Sequence, residues 1–185
     1  MLVGFVGRLS AEKGADVFLR MALRLRERRP DAHFVLVGEG AMLVTLQALV
    51  ARFQRDEVVH FAGMQQHMVE VLKEFDMAVS SSHSEAMPFA VMEAMACGLP
   101  VVACKVGSVA DLIQHEVSGY VANDNDHDGL ATRVTDLIGE PTRLAEFGAA
   151  GRRRACARLS LERIGVLHEA ARSLRASGTA VAAAR

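Results

Sequence analysis

The sequence predicts an α/β domain, a Rossmann-like, doubly wound parallel sheet of about six strands with helices on both faces. Short apolar runs alternate with amphipathic stretches along nearly the whole chain. Glycine or polar turn residues close most of the apolar runs. No repeat of fixed period interrupts this alternation, and nothing inside the chain signals a second domain.

Leu2 to Gly7 reads as a first strand ending in glycine. From Lys13 to Arg28, Val17, Phe18, Met21 and Leu25 recur at helical spacing, and Pro30 with Asp31 ends that helix. His33 to Val37 is the next strand, closed by Gly38-Glu39-Gly40. A second helix carries Leu43, Leu46, Leu49, Val50 and Phe53 on one face. Val58 to Ala62 is strand-like and closes at Gly63, and Met68, Val71, Leu72 and Phe75 mark a third helix. Met77 to Ser80 is a strand running into the polar stretch Ser81 to Glu85. Pro88 to Cys97 is helical, Val101 to Cys104 a strand, Val109 to Gln114 a short helix and Tyr120 to Ala122 a last strand. Beyond Asp126 the pattern is helical, with Leu130, Val134, Leu137 and Ile138 in one stripe. The small-residue segment 176–185 lacks a hydrophobic face and is expected to be a disordered tail, so the domain spans 1–175.

At 185 residues the chain can bury a core without disulfides or metals. A net charge of -1 gives no field that would favour nucleic acid or an anionic membrane. Arginines cluster at Arg24, Arg26, Arg28 and Arg29 and at Arg152, Arg153 and Arg154, read as solvated helix ends. Three cysteines, Cys97, Cys104 and Cys156, without a secretory leader point to a reducing compartment and free, packed thiols. The most apolar stretch, Ala86 to Cys104, is broken by Pro88, Glu93, Gly98 and Pro100, so no membrane span is expected.

In such sheets a ligand binds at the carboxyl ends of the strands, and two segments there carry chemistry. Gly7-Arg8-Leu9-Ser10-Ala11-Glu12-Lys13-Gly14 follows the first strand. Arg8 offers a guanidinium that can grip phosphate, and Lys13 stands near a helix start, where N–H groups also favour an anion. The other reading is of loop charges paired with Glu12. Gly-x-Gly-x-x-Gly is absent, so the dinucleotide fingerprint is not met. Second, Glu85 lies in the loop after the fourth strand and Glu93 inside the next helix. Pro88 suits the first helical position, which would leave the N–H groups of Phe89, Ala90 and Val91 facing a bound phosphate. Between Met92 and Ala94, Glu93 is expected to be a buried carboxylate in need of partners. Vicinal ribose hydroxyls would supply them, as would a lysine or a backbone to cap.

Together these segments resemble the carboxyl-terminal, donor-binding domain of retaining GT-B-fold glycosyltransferases, the glycosyl transferases group 1 family (family 4-like). Gly7 to Gly14 looks like that family's donor-phosphate loop, and Glu85 and Glu93 match its pair of glutamates separated by seven residues. The run Glu93-Ala94-Met95-Ala96-Cys97-Gly98-Leu99-Pro100-Val101-Val102-Ala103 continues the match, which reaches about residue 175. The resemblance implies transfer of a sugar, with retention, from a nucleoside diphosphate to an acceptor in polysaccharide or glycoconjugate synthesis. It implies that Arg8 and Lys13 neutralise the departing diphosphate and that Glu85 meets sugar hydroxyls near the reacting carbon. Glu93 would hold the ribose, while Gly7, Gly38 and Met64 line the nucleotide pocket and Met87, Pro88, Phe89, Ala90 and Val91 the phosphate and sugar side. No metal or other cofactor is implied. The amino-terminal acceptor domain of such an enzyme would lie outside this chain, which alone is expected to bind donor and to turn over weakly or not at all. A bacterial-type, cytoplasmic enzyme is expected, peripheral to the inner membrane face through that other domain.

The chain departs from the family pattern in places. Ala86-Met87-Pro88-Phe89-Ala90 replaces a frequent Gly-Phe-Gly, Gly107-Ser108 stands where paired glycines are common, and Asp111 replaces a usual glutamate. These changes bear on which sugar is taken. A non-catalytic nucleotide-binding or regulatory module of the same fold is the alternative, and a sugar-nucleotide epimerase of similar architecture a third reading. The histidines, including His83 beside Glu85, are read as solvated or packed. The acidic run Asn123 to Asp128 lacks the glycine and glutamate of a calcium loop and is read as a strand end and helix cap, not as a metal site.

Overall fold

The computed structural model describes residues 1–159 apart from 27, 54–56 and 125. The tail expected at 176–185, and the boundary at 175, lie outside the described residues. Six strands form one parallel sheet: β1 (Leu2–Val6), β2 (His33–Val37), β3 (Val59–Gly63), β4 (Met77–Ser80), β5 (Val101–Cys104) and β6 (Gly119–Ala122), in the order β3-β2-β1-β4-β5-β6. That order reverses between β1 and β4, which opens a crevice beyond their carboxyl ends. The helices are α1 (Ala15–Arg26), α2 (Leu43–Arg52), α3 (Met68–Lys73), α4 (Phe89–Ala96), α5 (Val109–Leu112), α6 (His127–Ile138) and α7 (Pro141–Leu159).

The alternation of β1 shows how the two helical layers arise. Phe5 points to α1, where its ring lies 5.5 Å from that of Phe18, and Phe18 in turn meets Phe34 of β2 edge-on at 6.3 Å. Gly4, one residue earlier, faces the opposite side, where the Phe75 ring fills the space a side chain would need. α1 packs beside α6 on one face, and α4 packs against α7 on the other. The interior strand β5, between β4 and β6, is buried at every position, as both layers require. At the edge strand β6, Tyr120 is buried against Phe147, with the guanidinium of Arg133 4.9 Å from its ring centre.

Element boundaries differ from the sequence reading by a residue or two. α1 begins at Ala15 rather than Lys13, because Gly14 ends the preceding loop with φ 63°. The third strand runs Val59–Gly63 rather than Val58 to Ala62. Asp126 caps α6 by accepting the Gly129 N–H at 2.6 Å, as expected of a residue that ends the loop. Most of the named arginines are engaged: Arg24 with Asp128 (2.6 Å), Arg26 with Glu57 (3.1 Å) and Arg29 with Asp31 (3.0 Å). Arg154 closes the end of α5 by donating to the carbonyls of Leu112 and Asp111. The thiols are free, but Cys156 is exposed rather than packed, since it falls on the outer face of α7. Among the described residues no helix is long and apolar enough to cross a membrane.

Candidate functional site

The loops after the strands meet at the carboxyl edge and are tied together by short hydrogen bonds. In the loop after β1, Leu9 is fully buried, which anchors the segment and leaves Arg8 exposed. The Leu9 N–H donates to the Glu39 carbonyl (2.9 Å), and the Leu9 carbonyl accepts from Met42 (3.0 Å), which joins this loop to the one after β2. On the other side the His83 N–H donates to the Glu12 carbonyl (2.9 Å), and the Ser81 hydroxyl donates to the Gly14 carbonyl (2.7 Å). Gly14 has φ 63°, and a Cβ there would collide with the Ser81 carbonyl oxygen, so only glycine lets the two loops close.

Glu85 and Lys13 are brought into one ion pair at 2.9 Å, the Glu85 side chain 10% and the Lys13 side chain 28% exposed. Glu12 also approaches Lys13, at 3.9 Å, so the loop-charge pairing and the carboxylate after β4 share one ammonium. The second oxygen of Glu85 accepts the Ser82 hydroxyl at 2.7 Å. Gly107, with φ 48°, lies against the Glu85 carbonyl, where a Cβ would collide, and the Ser108 hydroxyl donates to the Ala86 carbonyl at 2.9 Å. Serine in place of a second glycine is accommodated because Ser108 has an ordinary φ of -82°. The His83 Nδ1–H donates to Oδ1 of Asp124 at 2.9 Å and so ties the β4 loop to the β6 loop.

Arg8 makes no ion pair among the described residues and stands beside a groove of about 270 Å³ lined by Gly7, Arg8, Gly38, Glu39, Met64, Gln65 and Met68 with the ends of β1 and β2. Gly7, Arg8, Gly38 and Met64, singled out from the sequence, therefore share one concavity. Met64 is 71% exposed in its wall. The start of α4 differs from the expected form. Pro88 occupies the cap position, with ψ 77°, and Phe89 is the first helical residue. The Phe89 N–H is not free, because it donates to the Met87 carbonyl at 3.0 Å. The first bond back into the helix is from Met92 to Pro88 (3.1 Å), which leaves the N–H groups of Ala90 and Val91 for a ligand or water.

Glu93 corrects the sequence reading. It is exposed and makes no ion pair among the described residues, rather than buried in search of partners. The buried side of α4 is Val91, Ala94 and Met95; Phe89, Glu93 and Ala96 form the outer stripe. Met87 and Phe89 are also largely exposed, at 54% and 64%.

Sequence reasoning missed Ser81 and Ser82, which are among the few buried polar side chains, and it missed Glu39 and Gln65 in the groove. The signal for the serines was present: two hydroxyls directly continue an apolar strand at the ligand edge. The carboxylates of the acidic run go to separate partners, Asp124 to His83, Asp126 to the start of α6 and Asp128 to Arg24. Among the described residues no three histidine, cysteine or acidic side chains gather as a metal site would require.

A parallel sheet whose strand order reverses beside a basic loop and an open helix start defines a Rossmann-like, doubly wound α/β domain. Residues 1–154 match the family described as glycosyl transferases group 1, and the chain belongs to that family. It is 36% identical over 155 residues to D-inositol 3-phosphate glycosyltransferase 2 of Catenulispora acidiphila, covering 78% of this chain and 36% of that protein. It is 30% identical over 165 residues to a GDP-mannose-dependent phosphatidylinositol monomannoside mannosyltransferase of Mycolicibacterium smegmatis, covering 80% of this chain and 41% of that one. The chain thus spans well under two thirds of these relatives' length. Among solved structures, Anabaena HepE in complex with UDP superposes with a TM-score of 0.85 at 23% identity, over 95% of this chain and 48% of HepE. The carboxyl-terminal domain of a Francisella tularensis glycosyl transferase group 1 protein superposes with a TM-score of 0.81 at 23% identity, over 86% of each chain. The fold is the Rossmann-like α/β fold that these glycosyltransferase structures share.

Proposed function

We propose that this chain is the donor-binding domain of a retaining glycosyltransferase and holds a nucleoside diphosphate sugar across the β1–β4 crevice. The observation that supports this reading is a carboxyl edge that carries Arg8 in the wall of a groove sized for a base, Lys13 paired with Glu85, and open N–H groups at the start of α4. The diphosphate would lie between Arg8, Lys13 and the start of α4, along Met87, Pro88, Phe89, Ala90 and Val91. The base would enter the groove of Gly7, Gly38 and Met64. Glu93, exposed one turn into α4, would accept from both ribose hydroxyls, and Glu85 from sugar hydroxyls.

In the reaction the bond from the anomeric carbon to the phosphate oxygen breaks and one to the acceptor oxygen forms on the same face. The acceptor's proton passes to the leaving phosphate. Negative charge grows on that phosphate, and preorganised cations and N–H groups stabilise it without a metal being required. The printed names of relatives support a nucleotide-sugar donor, one being GDP-mannose-dependent, and HepE has been solved with UDP-glucose. The acceptor, in polysaccharide or glycoconjugate synthesis, would be held by an amino-terminal domain of the same enzyme. Free thiols at Cys97, Cys104 and Cys156 fit a reducing, cytoplasmic setting.

Calorimetric titration with UDP, GDP and ADP in chelator-containing buffer tests the reading. Saturable binding that favours one base, and that weakens for ribonucleotides more than for their deoxy counterparts in Glu93→Gln, is expected. Failure of all three nucleotides to bind would sink the assignment.

A further inference from the structure

We propose that Ser82 is a positioning residue whose hydroxyl sets the Glu85 carboxylate, and through it the Lys13 ammonium, in the attitude a donor sugar meets. The inference rests on the donor-binding reading above and goes beyond it to a residue that contacts neither nucleotide nor sugar.

Ser82 is 4% exposed, so its hydroxyl is withdrawn from water and needs a protein partner. It finds one in Oε1 of Glu85 at 2.7 Å, the length of a hydroxyl donating to an ionised oxygen. Oε2 of the same carboxylate takes Lys13 Nζ at 2.9 Å. An ionised carboxylate offers about four lone-pair sites, so two contacts stop its rotation and still leave room on each oxygen for a sugar hydroxyl. The backbone beneath is held separately, by Gly107 against the Glu85 carbonyl and by Ser108 on the Ala86 carbonyl. What Ser82 adds is control of the side-chain torsions. Without it, a carboxylate drawn only to a flexible ammonium swings with that ammonium.

The neighbouring serine supplies a contrast. Ser81 donates to the Gly14 carbonyl, at the end of the basic loop, and has no bond to Glu85. Loss of Ser81 should disturb the phosphate loop, and with it every ligand carrying a diphosphate. Loss of Ser82 should be felt only by ligands that carry a sugar.

The experiment compares UDP with UDP-glucose and GDP with GDP-mannose, titrated into the unaltered chain, Ser81→Ala, Ser82→Ala, Ser82→Thr, Glu85→Ala and the Ser82→Ala/Glu85→Ala pair, each checked for native circular dichroism. Ser82→Ala is expected to weaken the sugar nucleotide about tenfold and the free diphosphate by less than about twofold, as for one hydrogen bond to a charged group. Ser82→Thr keeps the donor and should retain sugar-nucleotide affinity. In the Glu85→Ala background, Ser82→Ala should cost nothing further, because its effect passes through the carboxylate. Equal losses for both ligands, or an additional loss in that background, would show a merely structural serine and overturn the inference. An unaltered chain that binds neither diphosphate would remove the donor-binding reading and this inference with it.

Discussion

The two sides of the crevice are built differently. On the β1 and β4 side, Lys13, Glu85, Ser81 and Ser82 are engaged with one another or with loop backbone, and two glycines let loop backbones touch. At the start of α4 and after β3, by contrast, Met64, Met87, Phe89 and Glu93 stand exposed. The first side is organised by the chain itself. The second is open to solvent. A site that must hold a charged diphosphate before reaction gains from the first arrangement, because ordering is done at folding rather than at binding.

The contrast can be broken most visibly through backbone contact. Gly107→Ala forces a Cβ onto the Glu85 carbonyl at positive φ and should lower unfolding free energy by about 2–4 kcal/mol in urea titration. Phe89→Ala, on the open side, should change it by no more than about 0.5 kcal/mol. An equal loss from both would erase the distinction.

The two cations sharpen it further. Lys13→Ala leaves a mostly buried carboxylate without its partner and should destabilise the fold by about 1–3 kcal/mol. Arg8→Ala removes a side chain with no ion pair among the described residues and should be nearly neutral for stability. Each should nonetheless weaken nucleoside diphosphate binding by about 1.5–3 kcal/mol in calorimetry.

The smallest effect lies far from the crevice. The Arg29 hydrogen bond holds the Asp31 carboxyl below its ordinary range. A lowered folded-state value means the pair's contribution is complete above the ordinary carboxylate range and is lost as pH falls through the lowered value. Arg29→Gln should move the Asp31 titration, followed by carbon-detected NMR, back upward.

The strands were legible because each is a short apolar run closed by glycine or polar residues, and all six fall within one residue of the expected bounds. That Gly7, Arg8, Gly38 and Met64 would meet was legible only through the family resemblance, and they line one groove. The orientation of Glu93 was not legible, for a physical reason. α4 is apolar at nearly every position, so its periodicity does not mark an inner face, and Phe89 rather than a polar residue shares the outer stripe. Ser81 and Ser82 look like loop in sequence because serine favours turns, and only the closure of two loops over them makes them interior.

The most direct test of the account is amide NMR mapping of the isotopically labelled chain titrated with UDP and GDP. Shift changes should concentrate at Gly7, Arg8, Gly14, Gly38, Ala90, Val91 and Gly107, along the carboxyl edge, and leave His33 and His60 at the opposite end unmoved. Changes centred on that opposite end would contradict a donor site at the β1–β4 crevice.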